Sequence, residues 1–195
     1  MKKILFFTVM LLLPVATNAQ LALKVGLTGN VAVGNMSDFW DGGPGVDINL
    51  KYLFAKHFGV GISTGYHHFF GDDGKKWDDE YVDYDDVGQG VVPIHLFFQY
   101  LIGQKRFQPY FGAELGVSRV ETEYTFEFDG GDGEYDHDYT NFSYGPVLGI
   151  YINFGDSKVG ADISTRLNFI PSSSDYHKEK SFYAGLTLGL VFRFW

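Results

Sequence analysis

From Leu23 onward, apolar and non-apolar residues alternate with period two, the pattern of strands whose two faces meet different surroundings. Eight segments carry it. On the first, Leu23, Val25, Leu27, Val31 and Val33 oppose Lys24, Gly26, Thr28 and Asn30; on the second, Val46, Ile48, Leu50, Tyr52 and Phe54 oppose Asp47, Asn49 and Lys51. The third sets Phe58, Val60, Ile62 and Tyr66 against Gly59, Gly61, Ser63 and Gly65, and the fourth sets Val92, Ile94, Leu96, Phe98 and Tyr100 against His95 and Gln99. In the fifth, Phe111, Ala113, Leu115 and Val117 face away from Gly112, Glu114, Gly116 and Ser118; in the sixth, Leu148, Ile150, Ile152 and Phe154 face away from Gly145, Gly149 and Asn153. The seventh opposes Val159, Ala161, Ile163, Leu167 and Phe169 to Gly160, Asp162, Ser164, Arg166 and Asn168, and the eighth opposes Ala184, Leu186, Leu188, Leu190 and Phe192 to Gly185, Thr187, Gly189 and Arg193.

Connections alternate between short ones, near 55–57, 103–106 and 155–157, and long ones over 35–44, 71–90, 129–140 and 171–180. The long ones hold 17 of the 24 acidic residues, so charge gathers at one end, as on a membrane barrel with short turns on one side and long loops on the other. Alternation alone also fits a soluble carrier with its apolar face inward. Three features decide between them. The non-apolar face is rich in glycine and small residues, which suits a narrow interior better than a solvated sheet. Aromatics gather near the strand ends, with Tyr52, Phe54, Phe58, Phe98, Tyr100, Phe111, Phe154 and Phe192 at the short-turn end and Tyr66, Phe142, Tyr144, Phe169 and Phe182 at the other, which matches the two interfaces of a bilayer. Beyond Ser118 the polarity of the fifth strand reverses without a change of register: Arg119, Glu121 and Glu123 continue the face of Val117, while Val120, Tyr124 and Phe126 continue the face of Glu114. Asp136 and Asp138 do the same on the descending strand, as a hairpin leaving lipid for water requires. The pattern predicts an all-β fold, an eight-stranded antiparallel up-and-down transmembrane β-barrel.

The first 19 residues break the alternation. Lys2 and Lys3, the mostly apolar run Ile4–Val15 and the small residues Thr17 and Ala19 stand in the order of a secretory signal cut before Gln20. Residues 1–19 are thus expected to be a cleaved signal peptide and residues 20–195 a single barrel domain. Charge and composition narrow the function classes. The 195 residues carry a formal charge of −9, which disfavours nucleic acid as a partner. No cysteine is present, which removes disulfides, thiolate metal sites and a lipid-modified cysteine anchor.

Eight strands enclose an interior generally filled by side chains. The inward charges Lys24, Asp47, Lys51, Glu114, Asp162, Arg166 and Arg193 mix signs, and buried charge is tolerated chiefly in paired networks. A plug is expected, not a pore, with Glu114 and Asp162 as acceptors for Lys24, Lys51, Arg166 and Arg193. His67 and His68 are adjacent, so they face opposite sides of a strand and are read as interface or loop histidines. The acidic runs at 78–80, 83–86 and 129–138 lack the Asp-x-Asp-x-Asp-Gly loop of a calcium site and read as solvated surface. Spacing suggests no triad between Ser63, Ser143, Ser164 or the Ser172–Ser174 loop and His67, His68, His137 or His177. No cofactor, metal or catalytic role is therefore expected.

The carboxyl end is the most specific motif. Thr187, Gly189, Phe192 and Phe194 resemble the polar-x-Gly-x-x-aromatic-x-aromatic signal that outer-membrane barrels present to their insertion machinery, with Trp195 added after the last aromatic. Together with the leader, the strands and the segment Gln108–Ala113, the chain resembles the small outer-membrane β-barrel, or porin-like, family of Gram-negative bacteria. That resemblance implies a monomer in the outer membrane, with short periplasmic turns, extracellular loops, and a part in envelope integrity, adhesion or surface interaction. Its partners would be outer-membrane lipid, the insertion machinery and an extracellular protein or glycan, the last met by Trp40, Trp77, Tyr81, Tyr84 and Tyr135. A narrow channel for small hydrophobic solutes and a lipid-modifying enzyme are the alternatives.

Overall fold

The computed structural model describes residues 20–54, 57–71, 83–103, 106–128, 131–171 and 181–194, with side chains throughout these except at 83–86 and 124–135. Eight strands follow in chain order: β1 (Gln20–Val33), β2 (Gly42–Phe54), β3 (Phe58–Phe70), β4 (Asp83–Leu101), β5 (Phe107–Phe128), β6 (Gly131–Asn153), β7 (Val159–Ile170) and β8 (Ser181–Phe194). Each pairs antiparallel with the next, and β8 pairs with β1, so the sheet closes without a free edge. Closure is what hydrocarbon demands, because each spanning backbone N–H and C=O must find its partner within the sheet.

Period two is preserved through the barrel wall, so every apolar face named above points outward. Leu27 is 71% exposed and Leu188 58%, and Ile48, Ile94, Leu148 and Leu186 share this outer surface. Such a continuous apolar band would be a liability in water and is burial in a bilayer. Aromatic rows border it. At the short-turn end Phe54, Phe58, Tyr100 and Phe111 stand ring to ring at centroid separations of 5.9, 5.1 and 5.5 Å. At the other end Phe142, Tyr144, Phe169 and Phe182 form a row at 5.7, 5.6 and 5.5 Å.

Two connections expected as long loops are partly strand. β4 begins at Asp83, and the β5–β6 ladder runs unbroken from Phe107↔Ile152 to Phe128↔Gly131, so 131–140 is paired backbone and not a loop. The reversed alternation explains it: a strand whose faces exchange polarity at the lipid boundary still has two distinct faces and keeps its ladder. Glycine is required where backbones approach closely. A Cβ on Gly145 would stand 1.6 Å from the Leu167 carbonyl oxygen, so no side chain fits there. Gly155 turns the chain between β6 and β7 with φ of 62°.

The interior has three layers. At the hairpin end, the 3₁₀ turn Gly34–Asp38 folds over the barrel mouth and Met36 packs with Trp40, Phe69, Val91, Val120 and Tyr183. The middle is polar. At the short-turn end, Ala22, Leu101, Tyr110, Tyr151 and Val191 form a second apolar cluster beside a cavity of about 840 Å³.

Candidate functional site

The central layer is built from inward side chains of strands two or three places apart around the barrel. Arg166 on β7 places Nη2 3.0 Å from Asp47 Oδ2 on β2 and Nη1 3.5 Å from Glu114 Oε2 on β5, the second an ion pair without a hydrogen bond. Lys24 on β1 is ion-paired with Asp162 on β7 and donates to Ser164 Oγ at 2.7 Å. Tyr110 donates to the other Asp162 oxygen at 2.9 Å, and Thr187 donates to Asp47 Oδ2 at 2.9 Å. Each of these carboxylates is buried, so its charge is held by partners and not by water.

Of the residues expected to make an ionic network, the structure brings Lys24, Asp162, Arg166 and Glu114 into pairs and leaves two out. Among the described residues Lys51 has no carboxylate in ion-pair distance: its Nζ lies 4.2 Å from the centroid of the Tyr151 ring. Lys24 on the neighbouring strand already holds Asp162. Arg193 likewise finds an amide, Asn153 Oδ1, instead of an acid. Asp47, an inward charge that was not expected among the acceptors, shares Arg166 with Glu114.

His67 and His68 face opposite sides of β3, as adjacency requires, and His67 alone departs from expectation. His67 is neither an interface nor a loop residue: it is wholly buried, with Nε2 3.2 Å from Asp47 Oδ1 and Nδ1 2.8 Å from the Tyr183 hydroxyl. Its parity with Ser63 and Gly65 was the available signal. His95 Nε2 lies 2.6 Å from Ser143 Oγ, and its Nδ1 lies 3.5 Å from Glu114 Oε2. This serine–histidine–carboxylate order has the connectivity of a hydrolase triad, made by residues whose spacing does not suggest one. It cannot work as one, because Ser143 and His95 are buried within the packed lumen and Ser143 Oγ is also 2.8 Å from Ser118 Oγ. A nucleophile needs room for a carbonyl beside it, and here hydroxyl and side-chain atoms fill that room.

The aromatic contact candidates fare differently. Trp40 is buried in the apolar layer at the hairpin end, so it belongs to the cover of the barrel and not to a contact surface. Tyr84 and Tyr135 sit on strands, in register with Phe126 and Tyr124, and their side chains lie outside the description. Trp77 and Tyr81 lie outside the described residues altogether. In the carboxyl motif Thr187 is buried, Gly189 pairs with Gly26 and with Asp162, and Phe192 and Phe194 point outward.

Beyond the aromatic row the hairpin changes character. Arg119 is exposed and bridges Glu121 at 3.0 Å and Asp138 at 3.3 Å, whereas Val120 on the opposite face is buried. Glu121 stands directly opposite Asp138, and Glu123 opposite Asp136.

A closed eight-stranded barrel with its oil outside and its ions inside is the architecture of an outer-membrane protein, and a family model described as the outer membrane protein beta-barrel domain matches residues 5–194. The chain belongs to that family. It is therefore an integral protein of the Gram-negative outer membrane. Solved barrels of this kind share its fold. Neisserial surface protein A aligns with a TM-score of 0.57 at 15% identity, covering 89% of this chain and 97% of that one. Ail, the attachment invasion locus protein of Yersinia pestis, aligns with 0.55 at 13% identity, covering 90% and 99%. A second Ail structure, in complex with the heparin analogue sucrose octasulfate, aligns with 0.55 at 12% identity, covering 90% and 99%. No curated protein sequence matches this chain.

Proposed function

We propose that this barrel is a non-catalytic surface protein that meets a basic face of an extracellular protein through the outer side of the β5–β6 hairpin. One observation carries the reading. Two like-charged pairs, Glu121↔Asp138 and Glu123↔Asp136, face each other across the hairpin beyond the lipid boundary, where directly opposed like charges destabilise a ladder. Arg119 offsets the first pair. A basic partner would offset the second, at which both Glu123 and Asp136 are exposed.

The long connections carry 17 acidic and 4 basic residues, which favours a basic protein surface over a sulfated glycan of the kind seen with Ail. The rest of the reading is supporting structure. Residues 1–19 serve export, Thr187, Gly189, Phe192 and Phe194 serve insertion, and Lys24, Asp162, Arg166 and Glu114 hold a plugged monomeric barrel. The packed triad-like cluster supports the absence of catalysis, and the apolar cover together with the ionic layer supports the absence of a solute path.

Cells displaying the barrel should retain a basic probe protein such as lysozyme at low ionic strength, and the double variant Glu123→Gln, Asp136→Asn should lower retention several-fold. Equal retention by the variant, or preference for heparin over lysozyme, would reject the reading.

A further inference from the structure

The two ends of the lumen are not alike. The hairpin end is covered by Met36 and Trp40, while the periplasmic end holds the cavity of about 840 Å³, a size that takes a small organic ligand. Its cations come from three places. Lys51 and Arg193 are neighbours in one row, each in register with Ala22 of β1 between them, and Arg106 stands exposed at the rim. Asp156 is the one carboxylate among the described residues lining it. This end is thus positive, opposite in sign to the outer connections.

Lys51 is the unusual member. It is 2% exposed and lines the cavity, yet no described side chain accepts a hydrogen bond from its Nζ, which instead has the rings of Tyr151, Phe97 and Tyr110 at 4.2, 5.8 and 6.0 Å. An ammonium has three protons to donate, and a buried one without an acceptor is costly. Arg193 adds to the imbalance, because its buried Nε has no hydrogen-bond partner among the described residues. Beside these cations the same cavity is lined by Leu101 and Val191, which belong to the apolar cluster of the periplasmic layer, and by Leu53, which packs against it. A cationic wall next to an apolar one suits a ligand with both characters.

We infer that the periplasmic mouth of the barrel binds a small organic anion, a carboxylate or phosphate on a short apolar body, whose oxyanion accepts from Lys51 and whose body lies on Leu53, Leu101 and Val191. The ligand would approach from the periplasm and stop at the ionic layer. Lys51 also lines the residual space of about 10 Å³ shared with Lys24, Glu114 and Arg166, which is too small to pass anything onward.

The test uses residues 20–195 refolded into nanodiscs of zwitterionic lipid, titrated with octanoate, inorganic phosphate and octanol by calorimetry and by the amine signal of labelled lysine. Octanoate should bind saturably and shift one lysine amine, with phosphate and octanol each at least tenfold weaker. Lys51→Met should weaken octanoate at least tenfold, while Arg119→Gln, outside the cavity, should leave it unchanged. Val191→Glu provides a second route: it places a carboxylate of the chain beside Lys51 and should abolish octanoate binding while the barrel keeps its folded gel mobility. Octanol binding as tightly as octanoate would remove the role of Lys51, and phosphate binding as tightly would remove the apolar body. Absence of saturable octanoate binding to the wild-type barrel would overturn the site.

Discussion

At Arg166 a single guanidinium serves carboxylates from β2 and β5, so its loss leaves Asp47 and Glu114 facing each other's charge inside a dry lumen. Removing one partner of a buried ion pair costs about 3–5 kcal/mol, and Arg166→Met is expected in that range, read as a lowered urea midpoint of folded gel mobility. Lys51→Met should cost under about 1 kcal/mol in the same titration, because a buried cation that has no carboxylate partner can be replaced by an apolar side chain of similar shape without leaving an orphaned charge. Glu114→Ala strips partners from both Arg166 and His95 and should weaken the barrel. It should not open a pore, since apolar side chains still cover the hairpin end; large stable conductance of that variant in planar bilayers would contradict the plug.

Among the elements, β5 is the most informative, since it crosses lipid and continues into water on one unbroken register. Leu115 lies on the lipid side of Ser118 and Arg119 on the water side, both facing outward. An arginine near the bilayer midplane of a barrel costs about 2–4 kcal/mol and near the interface about 0–1, so Leu115→Arg should be far more damaging than Arg119→Leu in urea titrations from vesicles. Equal costs would move the boundary away from Ser118. The β6–β7 pairing makes a steric counterpart. With Leu167 carbonyl oxygen where a Cβ would go, Gly145→Val should block closure between β6 and β7 and abolish the fast-migrating folded band.

Considered as a whole molecule, the barrel is a wall with two different ends. Its outward end is acidic in its connections and closed by an apolar cover; its periplasmic end is cationic and open. The wall makes the molecule an outer-membrane protein, and its mass should be found in that fraction with heat-dependent gel mobility. The ends are where recognition can occur, because the wall offers only lipid-facing apolar surface and the middle is filled. A protein partner outside and a small anion inside would then bind independently, separated by the Arg166 layer.

The period-two pattern was enough to determine the number of strands, their two faces, the aromatic rows and the residue at which the hairpin's faces exchange polarity, because each of these depends only on which side of a strand a residue faces. Parity also placed the inward charges Lys24, Asp47, Lys51, Glu114, Asp162, Arg166 and Arg193, and the parity that His67 shares with Ser63 and Gly65 accounts for its burial against the expectation of an interface or loop residue. It did not determine partners. Lys24 finds Asp162 across a sequence separation of 138 residues, and Arg166 rather than Lys51 or Arg193 reaches Glu114. His95 and Ser143 meet across β5 over Gly116, which is in register with both, and Arg166 reaches Glu114 across β6, whereas the meeting of Lys24 with Asp162 follows from closure. Only when β8 meets β1 do strands remote in sequence share one lumen, and the stagger between them sets which side chains arrive at the same depth.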